Sequence, residues 1–278
     1  MACSLTDPAG CIVGALFGFI VDLINMSLQP FLNTVKYLLS EPVNISIFSG
    51  VWGIIIYILS MFYGILLIWI GIKFILSGEN PVEREKAKTS LKNTIIMMVL
   101  VQVSYYIYSL IISISSALTK VILNITGNDF FLLSSENYSN LGLQILFLGL
   151  YLLNLVITAL ILALRYICVS VGVLFFAIGI FLYFIDSLQD YGKLIINGLM
   201  ALIFLPVFYS LIFLACSKLI EVQSLQDIKM LITVGAFSLI IICTFILILF
   251  VIIKAAMKVI RPVVKVASTV ATVAAVAG

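Results

Sequence analysis

Histidine is absent from the 278 residues of this chain. Histidine is the commonest general base and a frequent ligand of zinc and haem, so its absence excludes His-dependent catalytic triads and most such metal sites. The sequence also lacks a GxxxxGK nucleotide loop and a Rossmann glycine fingerprint. We therefore expect that the chain is not an enzyme and binds no cofactor or metal. If ATP drives its work, another protein hydrolyses it.

Charged residues are scarce as well, at 10% of the sequence against 64% hydrophobic residues. Residues 141–185 form an apolar run that a single charge, Arg165, interrupts. About twenty apolar residues cross the ~30 Å hydrocarbon core of a bilayer as a helix. A soluble domain needs far more polar surface. The composition predicts an all-α, polytopic helical membrane protein embedded in membrane lipids.

The five cysteines do not have the spacing of a metal cluster. Cys168, Cys216 and Cys243 lie in apolar segments, where a free cysteine behaves as a small hydrophobic residue. Cys3 and Cys11 flank a polar N-terminal loop. These two residues could form a disulfide if the N-terminus faces an oxidising exterior, and could remain free otherwise.

The N-terminal half divides into an external segment and a helical hairpin. Residues 1–48 are predicted to form an external N-terminus with an interfacial or re-entrant helix, because Pro30 and several polar groups interrupt its apolar stretch. Residues 49–123 are predicted to form a hairpin whose charged turn contains Asn80 as a helix cap before Pro81. Five basic residues between Lys73 and Lys92 assign this turn to the cytoplasm by the positive-inside rule.

The C-terminal half is predicted to form a membrane core over residues 141–253, which completes a polytopic membrane domain over residues 49–253. Its four predicted crossings are 141–164, 166–185, 194–218 and 230–253, with Arg165 at a cytoplasmic turn. They raise the total to about six transmembrane helices. Residues 254–278 form a basic tail rich in small residues. Six crossings from an external N-terminus leave this tail outside, against the positive-inside rule. A re-entrant segment at Pro206, a displaced last helix or an exceptional tail would each explain the conflict.

Three sets of residues are candidates for function. Arg84, Lys86, Lys88 and Arg165 are predicted to face a cytoplasmic partner, although Arg165 could instead be an interfacial anchor. Gln102, Ser109, Ser113 and Ser116 are predicted to share a polar helix face, which either bonds to other helices or lines a wet pathway. Gly50, Gly53, Tyr57, Ser60, Gly64 and Gly71 form a stripe of mostly small residues that favours close helix packing. Asp22 belongs either to an interfacial polar face or to a cation site.

Two segments resemble secretion proteins. Residues 77–88, with the sequence SGENPVEREKAK, resemble the cytoplasmic turn of the pilin-like hairpin proteins of conjugation systems. Residues 164–219 are similar to the core of the polytopic inner-membrane channel family of type IV secretion and conjugation. That core has an arginine at the head of a helix and a later helix with a mid-membrane proline. Archaeal DNA-exchange machines contain relatives of this family.

The resemblance implies a channel or scaffold subunit that helps to translocate DNA or protein. Its implied partners are further copies of itself, a cytoplasmic secretion-type ATPase, a pilin-like subunit, and single-stranded or double-stranded DNA in transit. The alternative is a small-solute or ion transporter that acts alone. A transporter would need a dedicated site on the Gln102 face together with Arg165 or Asp22.

Overall fold

The chain folds as a bundle of helices. The structure, a computed structural model, describes residues 19, 26, 28–78, 80–127, 130–131, 141–222 and 228–277, and only the backbone for 141–144, 255–256 and 258–277. After a first helix α1 at residues 28–40 and a short 3-10 turn at Ser46–Phe48, five long helices follow. They are α2 (Ser49–Leu76), α3 (Pro81–Thr126), α4 (Leu141–Tyr183), α5 (Gln189–Ile220) and α6 (Lys229–Ala277). These described residues include no strand.

The long helices have the length and apolarity that a membrane span requires. Five such segments occur in the described part of the chain. They are Ser46–Leu76, Pro81–Thr126, Ile145–Tyr183, Gln189–Ile220 and Lys229–Lys254. The prediction of an all-α, polytopic membrane protein is confirmed, with five such helices in place of the six crossings that the sequence suggested.

The predicted turn at Arg165 is wrong. Residues 141–164 and 166–185 are not two crossings, because α4 continues without a break from Leu141 to Tyr183. No proline or glycine lies next to Arg165, so nothing in the local sequence ends the helix there. A helix of this length rises about 65 Å, roughly twice the hydrocarbon thickness of a bilayer. The length of the apolar run therefore reflects one long helix that extends past the hydrocarbon core.

The turn between α2 and α3 forms as its sequence predicts. The side-chain oxygen of Asn80 accepts a hydrogen bond from the Val82 amide at 3.1 Å, and Pro81 occupies the first turn of α3. The charged residues after Pro81 belong to the same continuous helix as the apolar residues that follow. We refer to residues 77–92 as the tip, and to the end of the bundle that carries it as the tip end.

Contacts between helices show which connections share an end of the bundle. A cavity at the tip end is lined by Lys73 of α2, by Glu85 of α3 and by Asp186 of the α4–α5 turn. At the opposite end, Lys120 pairs with Glu41 at 2.8 Å, and Ser217 Oγ donates to the Thr126 carbonyl at 3.0 Å. The α4–α5 turn therefore lies beside the tip, which requires α4 to run the full length of the bundle.

The last helix leaves the bundle at the tip end. Leu247 and Val251 of α6 line a groove together with Leu194 of α5, which is near the tip-end start of that helix. The basic tail thus begins at the same end as the basic tip. Because α4 is one span and not two, the chain has five spans in place of the predicted six. With an odd number of spans, the basic tail lies on the same side as the basic tip, so the predicted conflict with the positive-inside rule disappears.

The apolar core has two parts. In the first, Leu28, Leu32, Val35 and Leu39 of α1 are buried with residues of α4, α5 and α6. Their spacing of four and three residues places them on one face of α1. In the second, residues of α2 and α3 pack against the tip-end halves of α4 and α5. Helix α1 therefore contributes to the core of the bundle through one continuous apolar face.

Candidate functional site

The most unusual polar group in the bundle is the buried guanidinium of Arg165, whose residue is 7% exposed. Its Nε donates to the Leu202 carbonyl at 2.9 Å, its Nη2 to the Ile203 carbonyl at 3.2 Å, and its Nη1 to the Leu38 carbonyl at 3.4 Å. In the part of the chain that the structure describes, no carboxylate pairs with this cation. Arg165 therefore joins α4 to α5 and α1 through backbone carbonyls.

Pro206 explains why a carbonyl of α5 is available to Arg165. In a helix the Leu202 carbonyl would accept from the amide of residue 206, but proline has no N–H group. A carbonyl without a donor is costly inside a membrane. The Arg165 Nε supplies the missing donor. We call this group, Arg165 with Leu202 and Pro206, the Arg165 junction.

Neighbouring polar side chains also bond to backbone at this level of the bundle. Ser115 Oγ of α3 donates to the Ile203 carbonyl at 2.7 Å, so this oxygen accepts from both Ser115 and Arg165. Tyr108 Oη donates to the Val169 carbonyl at 2.7 Å. Tyr166 Oη accepts from the Asn44 amide at 3.1 Å. The Arg165 junction and these neighbouring bonds therefore hold α1, α3, α4 and α5 together in the interior.

The sequence did not reveal the pairing of Arg165 with Pro206. The sequence did contain a feature that points to such a pairing, because a proline in the middle of an apolar span leaves the carbonyl four residues earlier without a hydrogen-bond donor. Arg165 is the single charge of residues 141–185. What the sequence could not supply was the alignment of α4 with α5, since that depends on α4 being one helix.

The predicted cytoplasmic partner residues separate into two places. Arg84, Lys86 and Lys88 are exposed on the first turns of α3, at the tip. Arg165 does not join them, because it lies about 27 Å along α4 from the end at Tyr183. The first three residues form an accessible basic surface at the tip, whereas Arg165 is enclosed in the bundle.

The predicted polar face of α3 points away from the bundle. Gln102 and Ser113 are exposed, Ser109 and Ser116 are partly exposed, and Ser113 Oγ donates to the Ser109 carbonyl at 3.0 Å. Other polar side chains of α3 make the contacts between helices. Ser104 accepts from Trp52 Nε1 at 3.0 Å, in addition to the bond of Ser115 described above. Serines occur on both the inward and the outward face of α3, so the sequence alone did not show which face contacts other helices.

The small-residue stripe of α2 is open. A Cβ atom added at Gly50, Gly53, Gly64 or Gly71 would meet nothing within 4 Å. These glycines therefore do not receive another helix of the described chain. They lie on the outward face of α2, beside exposed apolar side chains such as Tyr57 and Ile68.

The tip-end cavity has a volume of about 790 Å³ and a polar lining of mixed charge. Lys73, Lys86, Glu85 and Asp186 contribute both signs, and Thr89 and Ser90 add hydroxyl groups. No cluster of three metal-ligating side chains is present within the described residues. The cavity can form hydrogen bonds and ion pairs with a polar partner at the membrane surface.

The cysteines and Asp22 are the remaining candidate residues. Cys168 and Cys243 are free and exposed, and Cys216 is free and partly exposed. Cys3, Cys11 and Asp22 lie outside the described residues, so the predicted disulfide and the role of Asp22 remain predictions.

Comparison with known proteins adds one finding. Residues 44–111 match the family model described as "Type IV secretion system pilin". No curated protein and no solved structure matches the chain. The matched segment begins just before the 3-10 turn and includes α2, the tip and the first part of α3. This helical hairpin of a multi-pass membrane protein is thus related to a type IV secretion family.

Proposed function

We propose that the chain is a membrane channel or scaffold subunit of a conjugation-like type IV secretion complex that translocates DNA or protein. The observation that carries this proposal is the match of residues 44–111 to the secretion pilin family. In this chain the matched hairpin packs against α4 and α5 in a larger bundle. That arrangement favours a fixed membrane subunit, which acts by binding its neighbours.

The outward surface of the hairpin supports a role in assembly. The open glycines of α2 recur with spacings of three, four and seven residues, if Tyr57 and Ser60 are included, which is the pattern of a helix-packing seam. Gln102 and Ser113 are exposed on α3, and polar groups are unfavourable against lipid. Contact with another copy of this chain, or with a small pilin-like subunit, would cover both surfaces.

The tip end is proposed to face the cytoplasm, with the N-terminus outside. Basic residues concentrate at the tip and in the tail, and both lie at this end of the bundle. Arg84, Lys86 and Lys88 then offer an exposed surface to a cytoplasmic secretion-type ATPase.

Purification from native membranes tests the function. The tagged chain, extracted in mild detergent, should bring with it a secretion-type ATPase and a small pilin-like protein, identified by mass spectrometry. Replacing Gly53 and Gly64 together with leucine should remove membrane partners, because the new side chains fill the open face of α2. The matched control replaces Gly149 and Gly235, which also have open space, on α4 and α6. Recovery of the unmodified chain without partners would contradict the proposal.

The alternative is a small-solute or ion transporter that acts alone. Helix α5 is continuous, but Pro206 removes one of its backbone hydrogen bonds beside a buried cation. This feature favours the alternative, because transporters place helices with disrupted backbone hydrogen bonding at their binding sites. Purified protein in liposomes would then move a solute without partners, and replacement of Arg165 would abolish that flux. The secretion proposal expects no such flux from the chain alone.

A further inference from the structure

The last turns of α2 lie beside the charged first turns of α3. The two helices are antiparallel neighbours joined by the short turn 77–80, and farther along the hairpin Trp52 Nε1 donates to Ser104 Oγ at 3.0 Å. These two points fix the register of the hairpin. Residues 65–76 of α2 therefore lie at the level of residues 81–92 of α3.

This level of the hairpin lies outside the hydrocarbon core. Residues 81–92 carry six charged side chains, all exposed, which are unfavourable in lipid. The segment extends about 18 Å along the helix axes, whereas a headgroup layer is about 5–8 Å thick. Residues 46–64 still measure about 28 Å, which is enough to cross the hydrocarbon core. Most of residues 65–76 therefore stands in water beyond the bilayer.

The outward side of this water-exposed segment is apolar. Six large side chains, between 44% and 80% exposed, form an apolar strip along it: Ile65, Ile68, Trp69, Ile72, Ile75 and Leu76. Burying an apolar side chain of this size removes roughly 60–120 Å² from water, so the strip offers about 400–700 Å². A contiguous apolar patch of this size on a water-facing surface is typical of a protein contact.

The apolar strip is one end of a regular seam that runs the length of α2. Exposed residues recur with alternating spacings of four and three, and all but one are isoleucine: Ile54, Ile58, Met61, Ile65, Ile68, Ile72 and Ile75. This is the spacing of the core positions of a heptad repeat. The buried residues Ile56, Tyr63 and Ile70, spaced by seven, lie on the opposite face of the helix. The isoleucine seam therefore faces directly away from the bundle.

A second copy of the chain fits the isoleucine seam. Copies inserted into one membrane share one orientation, so their α2 helices run parallel and bring identical seams together. Isoleucine at both core positions of a heptad favours bundles of three or four parallel helices. The seam contains no charge, because Lys73, the single charged residue of α2, lines the tip-end cavity with α3. In such a bundle the charged turns of α3 remain on the outside, in water.

We propose that three or four copies of the chain associate through parallel α2 helices, with the apolar strip as the water-exposed part of the contact. The inference rests on the proposed assembly role of α2 and names its partner as the same chain. Apolar surfaces gain little by leaving lipid, so the apolar strip supplies the hydrophobic driving force, and the seam within the bilayer adds packing. Gly64 and Gly71, which directly precede Ile65 and Ile72, leave the backbone open beside the seam.

Native mass spectrometry of the full chain in mild detergent counts the copies, in protein expressed without any secretion partner. The unmodified chain should have the mass of three or four copies. Ile68→Glu should shift the mass to that of a single copy, because the glutamates of all copies would meet at the centre of the contact. The neighbouring variant Leu67→Glu, also exposed but off the seam, should keep the mass of the unmodified chain. A single-copy mass for the unmodified chain, or equal masses for the two variants, would overturn the proposal.

Disulfide cross-linking in membranes tests the same contact without detergent. In a chain whose native cysteines are replaced, Ile68→Cys and Ile75→Cys should each link two copies on mild oxidation, because parallel seams place identical residues together. Leu67→Cys should not. Cross-linking at residue 67 in place of residue 68 would assign the contact to another face of α2 and overturn the proposal. Neither test involves a secretion-type ATPase, so a chain that is a single copy but still co-purifies with the ATPase would contradict this inference and leave the proposed function standing.

Discussion

At the scale of single residues, Arg165 has a structural task that its charge alone does not suggest. Membrane proteins pay several kcal/mol, about 2.5–3.5, to place an arginine at the centre of a span. Here the guanidinium offsets part of this cost by bonding the Leu202 carbonyl that Pro206 leaves without a donor. The two residues are therefore expected to depend on each other.

A double-mutant cycle tests this dependence. Arg165→Met should destabilise the protein because it leaves the Leu202 carbonyl without a donor. In a Pro206→Ala background, the new amide of residue 206 satisfies that carbonyl, so Arg165→Met should cost less by about 1–3 kcal/mol. The free energy of unfolding, measured by SDS titration in mixed micelles, gives the coupling. Additive effects of the two substitutions would show that the residues are independent.

At the scale of helices, close approach at Gly172 determines how α3, α4 and α5 cross. A Cβ atom at this position would collide with the Tyr108 hydroxyl and the Leu199 side chain. The same hydroxyl donates to the Val169 carbonyl, so it cannot move aside without losing that bond. The absence of a side chain at Gly172 thus permits a hydrogen bond between two helices.

Gly172→Ala should therefore lower stability by about 1–3 kcal/mol, the usual cost of overpacking. The control is Gly149→Ala, on the same helix but with open space around the new methyl group. This control should be neutral or stabilising, by up to about 1 kcal/mol, since alanine is the better helix former. Melting temperatures in detergent compare the two variants. Equal melting temperatures would mean that α3 and α4 do not approach each other as described.

The tip offers a test of function at the same scale. Arg84, Lys86 and Lys88 are exposed on α3, so changing all three to glutamate should alter stability little. Under the proposed function, the variant should insert into membranes, while transfer of the proposed substrate and co-purification of the proposed ATPase partner should fall. Glu83→Gln with Glu85→Gln, at the same surface, serves as the control. Normal transfer by the charge-reversed variant would exclude the tip as a partner surface.

At the scale of the whole molecule, five long helices place the tip and the tail on one side. With the tip end in the cytoplasm, as proposed, and with the native cysteines replaced, Lys88→Cys and Lys265→Cys should both react with a membrane-impermeant thiol reagent in inverted vesicles. Val222→Cys, exposed at the other end, should react in intact cells. Labelling of residues 88 and 265 from opposite sides would contradict the path of α6.

The sequence was sufficient for the class of fold and for features that depend on neighbours in the chain. Apolar segments of membrane length and the Asn80 cap are local, and both are confirmed. It was insufficient at Arg165, because the length of an apolar run does not distinguish one long helix from two short ones. The polar face of α3 shows a similar limit, since burial depends on which helices lie beside Ser104 and Ser113.

The continuity of α3 has a mechanical consequence. This helix runs unbroken from Pro81, at the tip, to Thr126. Ser115, in its second half, donates a hydrogen bond to the Ile203 carbonyl, close to the proline of α5. Its first twelve residues form a stiff arm about 18 Å long. A displacement of that arm outside the bilayer is therefore transmitted along one continuous helix, α3, to the part of α5 next to Pro206. No break in α3 separates the two places.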